Sequence, residues 1–103
     1  MLVFEAPIDL LSFIELFPKN WQQHNYLSLG GVSGKALQQF LSERPDVERV
    51  FLCLDADKAG EDACKRLAAL LPDTVSVTRI QPCMKDWNDV LVHRAEIPNR
   101  NYF

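Results

Sequence analysis

The stretch VFLCLDADKAGEDA, residues 50–63, decides how the chain is read. An almost wholly apolar run ends abruptly in Asp55 and Asp57, and a helical pattern follows at once. A strand apolar at nearly every position is one covered on both faces, which is the signature of a parallel sheet between helix layers. Two like charges at the mouth of such a strand repel each other. Either Asp57 caps the next helix and Asp55 is a solvated strand end, or the pair holds something positive.

Working outward, three more segments rich in Val, Ile, Leu, Phe and Tyr read as strands: LVFE (2–5), NYLSL (25–29) and TVSVTRI (74–80), beside RVFLCLD (49–55). Helical spacing lies between them. Pro7 suits a first helical turn, and Ile8, Leu11, Ile14 and Phe17 recur at that spacing until Pro18. Ser33 is a plausible N-cap for a second helix with Ala36, Leu37, Phe40 and Leu41 on one face. A third runs from about Lys58 to Leu71 with Ala63, Cys64, Leu67, Ala68 and Leu71 as its stripe, and Pro72 stops it. A short last helix is expected over WNDVLVHR, with Trp87 as a packing anchor. Strand and helix alternate throughout, so the expected fold class is α/β: a compact, Rossmann-like domain with a four-stranded parallel sheet flanked by helices.

At 103 residues the chain has the length of one domain, residues 1–103, and no internal linker or repeat divides it. The apolar fraction of 48% and charged fraction of 24% are those of an ordinary globular protein. No apolar run approaches the roughly 20 residues of a membrane span. Cys53, Cys64 and Cys83 lack paired spacing and read as small buried hydrophobes in a reducing, cytoplasmic setting. His24 and His93 are in no zinc-ligand spacing. The net charge of −3 argues against gripping nucleic acid by charge alone, but not against binding through cations held on acidic groups. A first strand at residue 2 leads us to expect a domain cut from a longer protein, with covalently fused neighbours.

In an open parallel sheet, ligands bind beyond the carboxyl ends of the strands, where the strand order reverses. Those ends carry Glu5, then Gly30 and Gly31, then Asp55 and Asp57, then Asp86, Asn88 and Asp89. An order of 2-1-3-4 would make strands one and three neighbours and bring Glu5, Asp55 and Asp57 into one small space. Carboxylates crowded in this way are costly unless a proton or cation intervenes, and hard oxygen donors favour Mg²⁺ or Mn²⁺. Such a cluster is the protein half of metal-assisted phosphoryl chemistry. Gly30 and Gly31 could be a simple turn or allow close approach of a phosphate. Lys58 and Lys85 adjoin the acidic motifs and could meet phosphate, or could be ordinary surface lysines.

The ordered set VFEAPIDLLS, LSLGGVSGKAL, VFLCLDADKAGEDA and KDWNDVL resembles the Toprim domain. That catalytic fold is shared by bacterial-type primases, topoisomerases, and some nucleases and recombination proteins. The resemblance runs from the first strand to about Leu91. Its KDWND segment looks most like the primase-like proteins of plasmids, phages and conjugative elements. It implies that Glu5 acts as general base in nucleotide polymerisation, or general acid in strand cleavage. Asp55 and Asp57 would bind Mg²⁺, Asp86 would be a further acidic residue, and Asp89, less directly Asn88, would support the site.

The resemblance therefore implies a Mg²⁺-dependent nucleotidyl-transfer domain of a DNA primase-like protein. Its partners would be a DNA template and nucleoside triphosphates, handled by the full-length protein, with little activity expected of the fragment alone. The alternative is a metal-dependent nuclease or a topoisomerase-type strand-cleavage domain. The latter needs a nucleophilic tyrosine in a separate domain, and the chain has only Tyr26, in a predicted strand, and Tyr102, in the tail. GGVSGKAL also lacks the Ser or Thr that follows the lysine of a phosphate-binding loop.

Overall fold

A computed structural model of the chain describes residues 1–30 and 34–103. The sheet comprises β1 (Leu2–Phe4), β2 (Tyr26–Ser28), β3 (Arg49–Leu52) and β4 (Ser76–Arg79). All pairings are parallel and the order is β2-β1-β3-β4. The helices are α1 (Pro7–Leu16), α2 (Lys35–Glu43), α3 (Lys58–Leu70) and α4 (Trp87–Val92). Gly34 stands at the N-cap of α2; Ser33 lies outside the described residues. The paired strands are shorter than the apolar runs suggest, yet the ladder continues past them. Leu29 donates to Phe4 O (2.9 Å), Cys53 to Val3 O (2.8 Å) and Ile80 to Leu52 O (3.0 Å).

The period of two along each strand divides the core between the faces. Met1, Val3, Val50, Leu52 and Leu54 pack against Leu37 of α2 and Ala63, Cys64 and Leu67 of α3. Leu2, Phe4 and Cys53 meet Phe13 of α1 and Trp87 and Val90 of α4 on the other face. Every residue of the apolar run in β3 thus has a side to fill. The second face is aromatic: Phe13 meets Trp87 edge-on at 4.9 Å between centroids and Phe4 at 5.3 Å. Trp87 is fully buried, and its indole N–H donates to Cys53 O at 3.1 Å. Such a pair combines area burial with a satisfied polar atom.

The expected face of α1 is corrected. Ile8 and Leu11 are 56% and 62% exposed, whereas Asp9, Ser12 and Phe13 are buried. The helix packs on α4 as well as the sheet, and polar partners along that seam make the polar stripe tolerable inside. Ser12 Oγ donates to Ile8 O (2.7 Å) and toward Asn88 Oδ1 (3.4 Å), and the Asn88 amide donates to Asp9 Oδ1 (3.1 Å). With apolar residues on nearly every side of α1, spacing alone does not choose the face. Ala36 and Ala68 are likewise exposed, at the margins of their stripes. Cys53 and Cys64 are buried free thiols, with burial pushing Cys53 up to about 12, but Cys83 is exposed. No helix among the described residues is long and apolar enough to cross a membrane.

Candidate acidic site at the carboxyl edge of the sheet

The order β2-β1-β3-β4 places the reversal between β1 and β3, so the loops leaving those strands flank one crevice. Glu5 directly follows β1, and its carbonyl accepts from the Gly30 amide at 3.0 Å. Gly30 has φ +64°, the left-handed region that glycine enters without strain, so the turn after β2 folds back onto Glu5. Gly31 lies outside the described residues.

Asp57 is the N-cap of α3: its Oδ1 accepts from the Gly60 amide at 2.7 Å. Asp86 is the N-cap of α4 in the same manner, accepting from the Asp89 amide at 2.7 Å. The capping reading of Asp57 is therefore correct as far as it goes. One carboxylate oxygen satisfies an orphan amide of the helix, and a carboxylate has a second oxygen to offer. Asp55 caps nothing. Its neighbour Ala56 donates to Lys85 O at 2.6 Å, which ties the loop before α3 to the loop before α4.

Asp55 is where the charge accumulates. Burial, then the negative charges of Glu5, Asp9, Asp86 and Asp57, push its carboxyl up to about 7. Asp9 is raised too, by burial first and by Asp86, Glu5 and Asp89, against the hydrogen bond from Asn88 that favours its charged form. Of the expected residues, Glu5, Asp57 and Asp86 thus act electrostatically on Asp55, and Asp89 acts on Asp9. The structure adds Asp9, which the sequence reading passed over. The signal was present: an acid one helical turn beyond Glu5, followed by Ser12 on the same side of α1. The lysines stand apart from this group. Lys58 is exposed and pairs with Asp62 at 3.3 Å, and Lys85 contributes its carbonyl while its side chain is exposed.

The donors fit a hard divalent cation in chemistry, being carboxylates that repel one another. Among the described residues, no three His, Cys, Asp or Glu side chains converge tightly enough to hold a metal as they stand. Mg²⁺ commonly takes one or two carboxylates directly and keeps water in its remaining positions, so it does not require three converging side chains.

An open parallel α/β sheet with acidic residues at its switch point defines the class: a Rossmann-like domain whose candidate site lies at the carboxyl edge of the sheet. The particular family is shown by comparison. A Toprim-like family profile matches residues 2–91, and the chain belongs to that family. The uncharacterized protein MG010 homolog of Mycoplasma pneumoniae is 34% identical over 71 residues, covering 66% of this chain and 34% of that protein. Among solved structures, the primase fragment of the bacteriophage T7 primase-helicase protein superimposes with a TM-score of 0.72 at 26% identity, over 97% of this chain and 41% of that one. A second match has a TM-score of 0.64 at 25% identity and covers 92% of this chain and 48% of the other. It comes from a structure of bacteriophage T7 lagging-strand DNA polymerase interacting with primase domains of two gp4 subunits bound to an RNA/DNA hybrid and dTTP. The chain spans less than half the length of each of these relatives.

Proposed function

We propose that this chain is the Mg²⁺-dependent nucleotidyl-transfer domain of a primase-like protein. It would act on a DNA template and nucleoside triphosphates together with domains outside the matched region. The observation that carries the reading is Asp55, raised to about 7 among Glu5, Asp9, Asp86 and Asp57. A fold has no structural use for that repulsion. A cation site does.

In this reading Asp55 and Asp57 hold the metal, with Asp86, Asp89 and Asp9 completing the negative field around it. A bound Mg²⁺ would offset the charge developing on the transferred phosphoryl group. Glu5, at the end of β1, accepts the proton of the attacking 3′-hydroxyl as general base. Gly30 offers backbone that a phosphate can approach closely, and Lys58 and Lys85 are the cations nearest in sequence to the acids. Asp57 and Asp86, as caps, have their carboxylates oriented before any metal arrives. The likeness to the T7 primase fragment favours polymerisation over strand cleavage. Tyr26 opens β2 at the opposite edge of the sheet and Tyr102 packs on Phe17, so neither is a candidate nucleophile.

The test is Mn²⁺ binding followed by electron paramagnetic resonance on the parent chain, Asp55→Asn/Asp57→Asn and Glu5→Gln. Parent binding at least about fivefold tighter than that of the aspartate variant supports the site. Equal, weak binding by all three would remove the metal from the account. Primer synthesis would then be assayed in the longer protein with and without Glu5→Gln.

A further inference from the structure

The acid loop has a clamp that no metal, cap or family motif accounts for. Arg79 ends β4, in register with Leu52 of β3, and its side chain reaches across to the chain that follows β3. One guanidinium nitrogen donates to Asp55 O at 3.0 Å. Another donates to Gly60 O at 3.3 Å and to Cys64 Sγ. Gly60 also lies close to this carbonyl, since a Cβ there would stand 2.0 Å from it. Asp55 O therefore has a glycine with no side chain and a planar fork of donors as its neighbours. This is the geometry in which arginine differs from lysine, since a point ammonium cannot serve two separated carbonyls at fixed angles.

The geometry points to Arg79 as a positioning residue for the acidic site: it fixes the backbone of Asp55 and the first turn of α3, and through them the directions of the Asp55 and Asp57 carboxylates. Its cationic head meets backbone oxygens rather than the carboxylates, so it holds the loop without forming an ion pair with the acids. The link to metal binding rests on the function proposed above; the clamp itself does not.

Two variants separate the clamp from simple packing. Arg79→Met keeps an unbranched stem and removes every donor, and Arg79→Lys keeps one charge without the fork. Amide hydrogen exchange reads the loop directly, through the Ala56 amide bonded to Lys85 O and the Gly60 amide bonded to Asp57 Oδ1. The amides of Phe51 in β3 and of Cys53 just after it serve as internal reference. In Arg79→Met, Ala56 and Gly60 are expected to exchange roughly tenfold faster than in the parent, relative to Phe51 and Cys53, with Arg79→Lys between. Exchange that rises equally at all four amides, or at none, overturns the proposal. Mn²⁺ affinity is measured on the same samples. Where the parent binds more tightly than Asp55→Asn/Asp57→Asn, Arg79→Met should bind about fivefold more weakly than the parent, and parental affinity would overturn the link to the site. Where the parent binds no better than the aspartate variant, the metal reading falls and the exchange rates alone decide Arg79.

Discussion

The loops that enter α3 and α4 are built alike and behave differently. Each leaves a strand at the carboxyl edge, each has an aspartate N-cap accepting from the amide three residues on at 2.7 Å, and the two are joined through Ala56 and Lys85. The loop before α4 needs nothing more: Asp86 caps, Trp87 anchors, and the helix begins. The loop before α3 carries one acid too many. Asp57 caps as Asp86 does, but Asp55 has no such role, and its charge is opposed by four other carboxylates. Capping explains two of these aspartates and leaves the third unexplained. Function is best sought in that third one.

The comparison can be broken most forcefully at its anchor. Trp87→Ala removes a fully buried indole and the hydrogen bond to Cys53 O that ties α4 to β3. A loss of about 3–5 kcal/mol is expected in denaturant unfolding. Gly60→Ala comes next, because its methyl group would collide with a backbone oxygen that cannot swing aside as a side chain could. About 3 kcal/mol is expected, together with displacement of the acid loop visible in amide chemical shifts.

Asp55→Asn should do the opposite and stabilise the metal-free chain at neutral pH and above. Folded, Asp55 keeps its proton to about pH 7; unfolded, it releases it near the ordinary 3.8. Between those values the folded state binds more protons, so stability falls as pH rises and the loss is complete above about 7. After allowance for partial solvent exposure, about 1–2 kcal/mol is expected from the substitution above that pH, and none near pH 4. Urea unfolding at the two pH values checks it. The smallest effect sharpens the comparison best. Asp57→Asn retains a good cap and should change stability by less than about 0.5 kcal/mol, whereas Asp57→Ala should cost about 1 kcal/mol. If both weaken Mn²⁺ binding by a similar factor, capping and cation binding are separate uses of one side chain.

Much of this was legible in the residues, for physical reasons that can be stated. The continuous apolar run of β3, with no polar break from Val50 to Leu54, required helices on both faces, and the alternation of strand and helix with Pro18 and Pro72 as stops set the fold class. The acids were visible because strand ends are where an open sheet keeps its ligands. Asp9 was passed over despite its spacing from Glu5, because the exposed Ile8 and Leu11 offered a more hydrophobic stripe than the buried one. Only the seam with α4, where Asn88 and Ser12 supply partners, makes the polar face the inner one. Arg79 was hidden likewise: at the end of an edge strand it reads as a solvated charge, and nothing local reveals the two carbonyls it meets across the sheet.

The central claim is that repulsion at Asp55 is stored affinity for a divalent cation, and the carboxyl carbon of Asp55 reports it directly. Its ¹³C chemical shift, followed across pH with and without Mg²⁺, should titrate near 7 in the metal-free chain. With saturating Mg²⁺ the midpoint should fall by roughly 1–3 units, as it does for a carboxylate given an adjacent positive charge. A midpoint at about 4 that Mg²⁺ does not move would contradict the account, leaving Asp55 an ordinary solvated strand end.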